Sequence, residues 1–462
     1  MTLQTFCREK LADLETPVSA YRKLCGSLAD SFLLESVEPH ETVGRFSIVA
    51  WDPLLSLELR PQDVTVTDNG GSELRPADEF FSLIRRTLIR YPLAQPYSLP
   101  AVGSLLGFIG YDAVRLIEPV GPARPAALPM ARLVLPSRFA VFDRRRRMLT
   151  LVALDQDQKK CREKIAEAEA RLASPLEPLS FTDGLRLVEP SSQRFMAAVS
   201  RAKEYIRAGD AFQIVLADCF EGETAGDPFQ VYRLLRVRSP SPYLFYLNFG
   251  GYKLVGASPE TMVKVRNNRV ILRPIAGTRG RSDDPDRDQT LEQELLASEK
   301  ERAEHVMLVD LARNDAGRVS RYGTVKVAPY MNVERYSHVM HLVSMVQGEL
   351  RPGADLVDAF QAGFPAGTVS GAPKVRAMQI IDELEARVRG PYAGAVGYFG
   401  PGNEMDTCIA IRLIVFEGNR FTIPVGAGIV ADSEPEMEYR EIHHKAGQSL
   451  MALKLAAEGE GL

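Results

Sequence analysis

Cysteine is scarce in this chain and never paired as C-x-x-C. The five thiols, Cys7, Cys25, Cys161, Cys219 and Cys408, are odd in number and scattered. That excludes a disulfide framework and a structural zinc site, and it points to a reducing compartment. Long apolar runs are missing too; none reaches the roughly 18 residues that a membrane-spanning helix needs. The opening stretch MTLQTFCREKLADLE has early charges and no apolar core, so no signal peptide is expected. A net charge of -4 gives neither nucleic acid nor an acidic membrane an electrostatic hold. A cytoplasmic, soluble protein is expected. Lys374 is separated from its glycine by Ala-Pro, so there is no phosphate loop, and no G-x-G-x-x-G follows a strand. No cysteine lies in a Gly-x-Cys-x-Gly setting, which argues against a built-in glutamine amidase. Internal repeats and low-complexity segments are also lacking.

What is present is ordinary globular composition over 462 residues, too long for one ordinary core. Two domains, or one large intergrown pair, are expected. The basic run Arg144-Arg145-Arg146-Arg147 lies between the apolar runs 140–142 and 148–152, which predicts a hairpin turn rather than a nucleic-acid patch. Short strand-like runs (46–51 and 133–135 among them) fill the first part, and a charge-rich helix follows over 156–173. The segment SPLEPLS (174–180) reads as a linker and divides a region 1–173 from a region 190–458. In the second region, 193–208 is a predicted helix closed by Gly209. The runs 263–266 and 269–272 form a hairpin around Asn267-Asn268. A long helix is expected over 291–311, ending where Asn314, Asp315 and Gly317 break the pattern. A further hairpin is expected over 407–425 around Glu417-Gly418-Asn419. The last helix should start at Pro435, with Ser433 and Glu436 spaced as a capping box. Antiparallel hairpins separated by long helices make an α+β fold, its sheets covered by helices.

Two helices carry acidic pairs three residues apart, so each pair shares a face: Glu301 with Glu304, and Glu438 with Glu441. Lys445 lies on the same stripe as Glu441. Oxygen-only ligands suit magnesium, which takes one or two carboxylates and completes its shell with water and substrate. The competing view is a solvated face with intrahelical pairs such as Glu441 with Lys445. His338 and His341 are not followed by the spacing of a zinc protease. Small-residue loops lie at PIAGT (274–278), FPAGT (364–368), SGAPK (370–374) and GAG (426–428). Gly426 and Gly428, between an apolar strand and the last helix, can bring backbone N–H groups close to a carboxylate; a tight turn is the plain alternative.

These signals fall in a specific order. The blocks are GDAFQIVL (209–216), SPSPY (239–243), ASPE (257–260), PIAGT, AEHVMLVDLARND (303–315), VMH (339–341), FPAGTVSGAPK (364–374), MDTCIAIR (405–412) and GAGIVADS (426–433). With them the chain resembles the chorismate-utilising enzymes along nearly its whole length. The resemblance implies that family's fold, in which large antiparallel sheets pack face to face with helices outside. It implies that Glu304 and Glu441 ligate Mg2+, with Glu301 and Glu438 ordering the water around it. Gly277, Thr278, Thr368, Tyr392, Arg412, Gly426, Ala427, Gly428 and Lys445 would bind dianionic chorismate. Glu260 would be the general acid for the departing 4-hydroxyl, and His341 would assist proton transfer or contact the leaving group.

Within the family, relatives that add water at C2 carry a lysine base where this chain has Gln213. A neutral amide cannot deprotonate water, but it leaves a path for ammonia. Many aminodeoxychorismate-forming relatives carry a nucleophilic lysine in place of Ala276, although some carry alanine. The implied product is anthranilate, the ammonia coming from a glutamine amidotransferase subunit; aminodeoxychorismate stays open. LLES (33–36) and PYL (242–244) resemble a pocket for feedback inhibition by tryptophan, with Ser36, Pro242, Tyr243 and Leu244 at its wall. Leu244 stands where the usual pattern has methionine. A non-catalytic tryptophan sensor of the same fold is the remaining alternative, against which the intact Glu260, Glu304, His341 and Glu441 argue.

Overall fold

The structure is a computed structural model, and it describes residues 1–36, 44–95, 99–176, 184–336 and 339–459. Part of the expected linker (177–180) and His338 lie outside the described residues. Twenty-one strands join into one network, and a separate three-stranded sheet is formed by Ile275–Gly280, Val339–Val343 and Asn332–Arg335. The ladders between named strands are antiparallel, as expected of an α+β chain built from hairpins.

Strands from the first region pair with strands from the second. Ser31–Glu35 lies beside Tyr243–Asn248, and Leu105–Ile109 beside Ala395–Gly400. One apolar core accordingly takes Phe32, Phe108 and Phe139 together with Tyr232, Phe245 and Phe399. The parts are intergrown. Among the described residues no helix is long and apolar enough to cross a membrane.

Local chemistry explains several elements. Asn267 and Asn268 both take positive φ, 51° and 59°, as a two-residue hairpin turn requires, and join Thr261–Arg266 to Arg269–Leu272. The four arginines 144–147 form the turn between Ala131–Asp143 and Met148–Asp155. Helix Gln158–Ala173 packs on Met148–Asp155 and its neighbour Gln4–Leu11, and helix Ser192–Arg207 ends before Gly209 at φ 86°.

Four expectations need correction. The long helix expected over 291–311 is two, Pro285–Ala297 and Glu299–Val319. Ser298 is extended (φ -67°, ψ 110°) and its side chain accepts the Glu301 N–H, so it caps the second helix. That helix runs through Asn314, Asp315 and Gly317 because Ala312, Asp315, Ala316 and Val319 form a buried stripe. The last helix, Pro435–Ala457, starts where expected, but no capping box forms. Its N-cap is Glu434 without a side-chain bond, and Ser433 instead accepts the Val430 N–H. The expected 407–425 hairpin is narrower, with Leu413–Glu417 paired to Arg420–Ile429 across Gly418-Asn419 and Glu404–Ile409 a separate strand. Gly426 and Gly428 lie inside the strand Arg420–Ile429, not in a turn after it.

Candidate active site

Glu260 follows the strand Tyr252–Ser258. Its N–H reaches Ser258 Oγ at 3.3 Å and its carbonyl accepts the Ile409 N–H at 2.9 Å. With the backbone held at both ends, the carboxylate is aimed at Thr368, whose Oγ1 donates to Oε2 at 2.9 Å. Burial raises the Glu260 pKa above the ordinary value, and the Glu304 charge adds to this; Thr368, Lys445 and Arg412 act in the opposite direction. The net result is a carboxyl group that holds its proton further into the neutral range than a free glutamate.

Arg412 takes a left-handed backbone conformation (φ 52°), and its Nη1 donates to the Lys445 carbonyl at 2.5 Å. Among the described residues it has no carboxylate partner in an ion pair, and burial lowers its pKa. A desolvated guanidinium without a counter-ion is a ready site for an anionic ligand. Lys445 Nζ lies 2.6 Å from Glu441 and 2.9 Å from the Gly426 carbonyl. The intrahelical Glu441–Lys445 pair therefore forms, yet the same ammonium also faces the glycine strand.

That strand explains its glycines. Arg420–Ile429 pairs with Gln213–Thr224, with Gly428 opposite Val215 and Gly426 opposite Ala217. The Val215 N–H and C=O bond to Ser370 and Arg389 on the far side, so these are the non-hydrogen-bonded pairs of the ladder. By the same alternation the peptide groups of Gly426 and Gly428 point off the other edge, toward Lys445. A Cβ on Gly426 would stand 2.8 Å from the Tyr392 hydroxyl and 2.9 Å from the Leu216 carbonyl; one on Gly428 would stand 2.7 Å from Gln213 Nε2. Ala427 is fully buried and alternates to the opposite face. Burial pushes the Tyr392 pKa up to about 12, so its hydroxyl stays a donor.

His341 lies on Val339–Val343, paired with Ile275–Gly280. A register shift between Ala276 and Thr278 leaves Gly277 at φ 67°. The Gly277 carbonyl lies 3.0 Å from His341 Nδ1, and Thr278 Oγ1 lies 3.1 Å away. A carbonyl can only accept, so Nδ1 carries the proton and Nε2 keeps a lone pair. Burial lowers the His341 pKa, which keeps the ring neutral. The Gln213 amide lies beside the Glu304 carboxylate and favours its charged form, while its own Oε1 is buried with no partner among the described residues.

The acidic helices converge. Glu304 is raised by burial and then by the charges of Glu301 and Glu441; Glu438 is raised by burial and by Glu441. Glu438 Oε2 is buried with no hydrogen-bond partner among the described residues. Carboxylates that repel one another around an orphaned oxygen fit a hard cation. Among the described residues no three acidic, histidine or cysteine side chains are close enough to hold a metal by themselves. Two carboxylates with water and substrate oxygens, the coordination magnesium favours, require no third.

The sequence profile of the chorismate binding enzymes matches residues 30–451. The chain belongs to that family. Anthranilate synthase component 1 of Cereibacter sphaeroides is 43% identical, over 98% of this chain and 94% of its own length. The protein of the same name from Thermus thermophilus is 43% identical over 97% of each chain. Among solved structures, anthranilate synthase component I of Streptococcus pneumoniae superposes with a TM-score of 0.80 at 35% identity, covering 95% of this chain and 99% of that one. A menaquinone-specific isochorismate synthase of Escherichia coli, at 20% identity and TM-score 0.74, shares the fold.

The expected effector residues of this family member gather at the end of one strand pair. Glu35 is opposite Leu244, and Ser36 and Tyr243 are the next residues at that end. Ser36 Oγ is buried with no partner among the described residues. Pro242 and Leu244 are buried; the Tyr243 hydroxyl donates to Asp406 at 2.9 Å and lies 3.0 Å from Thr261 Oγ1. Sequence reasoning missed Tyr111, Glu385 and Arg389, which meet behind the Thr368 turn. Their only local signal is the four-residue spacing of Glu385 and Arg389, and that stretch follows the end of helix Lys374–Leu384.

Proposed function

We propose that this chain converts chorismate and ammonia to anthranilate, pyruvate and water. The observation that carries amination over hydration is Gln213: a neutral amide occupies the position of the water-activating lysine, and its buried Oε1 has no partner among the described residues. That oxygen can accept from an N–H of ammonia and leave the lone pair directed at C2. Arg412, Lys445 and the Gly426 and Gly428 amides hold the two carboxylates. Glu260, its pKa raised by burial and its carboxyl oriented by Thr368, gives a proton to the 4-hydroxyl as that group leaves as water. Neutral His341 presents Nε2 to the departing enolpyruvyl side, and proton loss from C2 aromatises the ring as pyruvate departs. Glu304 and Glu441 would hold Mg2+, with Glu301 and Glu438 ordering its water; the ion supplies positive charge at the ring carboxylate.

The ammonia is assigned to a glutamine amidotransferase subunit, in keeping with relatives named as component 1. Region 1–173 is assigned a regulatory role with tryptophan as ligand, and region 190–458 the catalytic role. Five free cysteines accord with a cytoplasmic location. The test is product chromatography with the single chain, chorismate and magnesium, supplied with either ammonium or glutamine. Anthranilate from ammonium alone is expected. Aminodeoxychorismate as product, or turnover of glutamine by the pure chain, would overturn the assignment.

A further inference from the structure

The strand Gln213–Thr224 has a gap in its pairing. Along one edge it is matched through ten residues by Arg420–Ile429. Along the other, Gly371–Ala372 covers Gln213 and Ile214, and Leu185–Val188 begins only at Glu221. Between them a cavity lined by Phe195, Ala198, Leu384 and Val388 abuts the strand. Unpaired strand edges facing a cavity leave peptide groups unsatisfied.

Two side chains stand in for the missing strand. Glu385 Oε1 accepts the Ala217 N–H at 2.8 Å, and Arg389 Nη2 donates to the Val215 carbonyl at 2.7 Å. The two are joined by Nε to Oε2 at 2.9 Å and Nη2 to Oε1 at 2.6 Å, with side chains only 2% and 6% exposed. Nη1 of the same guanidinium donates to the Val369 carbonyl at 2.6 Å. The Tyr111 ring lies against it, 4.4 Å from Cζ to the centroid. Val215 and Ala217 are the residues opposite Gly428 and Gly426, and Val369 is the neighbour of Thr368.

We propose that Arg389, clamped by Glu385, is a positioning residue for the reaction: one guanidinium ties the strand Gln213–Thr224, which carries the glycine strand on its other edge, to the turn that aims Thr368 at Glu260. The inference rests on the site assignment made above. Neither residue is assigned to touch substrate. Arg412 and Lys445 belong to other elements, and the glycine strand keeps its ten-residue ladder with Gln213–Thr224, so the groups assigned to hold the carboxylates stay in place when the clamp is lost. Lysine cannot replace the fork, because one ammonium cannot reach both carbonyls and both carboxylate oxygens. Glutamine at position 385 can still accept from Ala217 but turns an N–H2 toward Arg389, which unfastens the clamp.

The test uses the full chain with ammonium and magnesium, and compares R389K, E385Q, T368V and the double variant R389K/T368V with E260Q as control. R389K is expected to lower kcat about tenfold or more while KM for chorismate changes by less than about threefold, a loss confined to transition-state positioning. The double variant should lose no more than about threefold beyond T368V, since both act through Thr368. Should R389K fail to fold, E385Q and the double variant E385Q/T368V carry the test, with a kcat loss of at least about tenfold for E385Q and again no more than about threefold beyond T368V for the double variant. Wild-type kcat in the clamp variants, or losses that simply multiply with T368V, would overturn the positioning role. E260Q with wild-type turnover would overturn the site assignment instead, so the two failures are distinguishable.

Discussion

Thr368 Oγ1 donates to Glu260 Oε2 at 2.9 Å across 108 residues of sequence. A donor to a carboxylate favours its ionised form, so Thr368 holds the Glu260 pKa below the level burial alone would set. Removing the hydroxyl in T368V should raise that pKa further. Because Glu260 acts in its protonated form, the limb on which kcat falls with rising pH should move to higher pH. The maximum should also drop by about ten- to a hundredfold, the worth of a hydrogen bond to a charged group. A kcat–pH profile at constant free ammonia checks both; a limb that stays in place would remove Glu260 as the acid.

The crowded carboxylates predict how magnesium behaves before any chemistry. Ion binding should relieve the repulsion among Glu301, Glu304, Glu438 and Glu441 and raise the thermal midpoint of the wild-type chain. At magnesium a hundred times its Kd the added stability is about 2.7 kcal/mol. Glu304→Gln or Glu441→Gln should abolish magnesium-dependent turnover and most of that thermal shift. Equal shifts in wild type and both variants, read by calorimetry, would show that these carboxylates do not ligate.

Gly426 and Gly428 should respond unequally to alanine. At Gly428 the new methyl meets the end of the Gln213 side chain, which can swing aside at the expense of its contact with Glu304. At Gly426 it meets the Leu216 carbonyl and the Tyr392 hydroxyl, one of them backbone. Overpacking there should cost about 1–3 kcal/mol of stability. G426A is thus expected to show a lower thermal midpoint and a raised KM for chorismate, and G428A a near-normal midpoint with impaired use of ammonia. Denaturation curves and separate KM values for the two substrates decide it, and identical behaviour in both would contradict the ladder geometry.

Where local chemistry decides structure, the sequence was legible. Asn267-Asn268 requires a hairpin because both residues tolerate positive φ, and Pro435 starts a helix because its missing N–H is unneeded there. Ser298 was not legible, since a serine within a continuous helical pattern becomes a cap only when the next helix turns onto its own packing partners. Gly317 should end a helix, but Asp315 two residues earlier is pinned by Lys374 at 2.7 Å, and no window around either residue reveals that contact. Ordered motifs nominated residues that the fold then gathers, Glu260 with Thr368 and His341 with Gly277 and Thr278. They did not disclose that Arg412 lacks an ion-pair partner among the described residues, or that a buried Glu385–Arg389 clamp replaces a strand, because both depend on how distant segments meet.

Tyrosine 243 offers a physical link between the proposed effector pocket and the acid. Its neighbour Leu244 is paired with Glu35, and Ser36 beyond it holds a buried hydroxyl with no partner among the described residues, a group that an amino-acid head group would satisfy. Tyr243 is itself opposite Ser258, which accepts the Glu260 N–H, and its hydroxyl lies 3.0 Å from Thr261 Oγ1. A ligand that shifts Tyr243 therefore bears on both sides of Glu260, and by linkage chorismate must weaken tryptophan binding by the factor that tryptophan weakens chorismate binding. Replacing Ser36 by leucine should abolish tryptophan binding while sparing uninhibited turnover. Tyr243→Phe removes the hydroxyl link but keeps the ring, so tryptophan should still bind while its coupling to chorismate shrinks by about 0.5–2 kcal/mol, the range for residues that carry coupling. Calorimetry with and without chorismate measures that coupling in each variant. An unchanged coupling in Tyr243→Phe would exclude the hydroxyl route, and no tryptophan binding to the wild-type chain would exclude the effector pocket altogether.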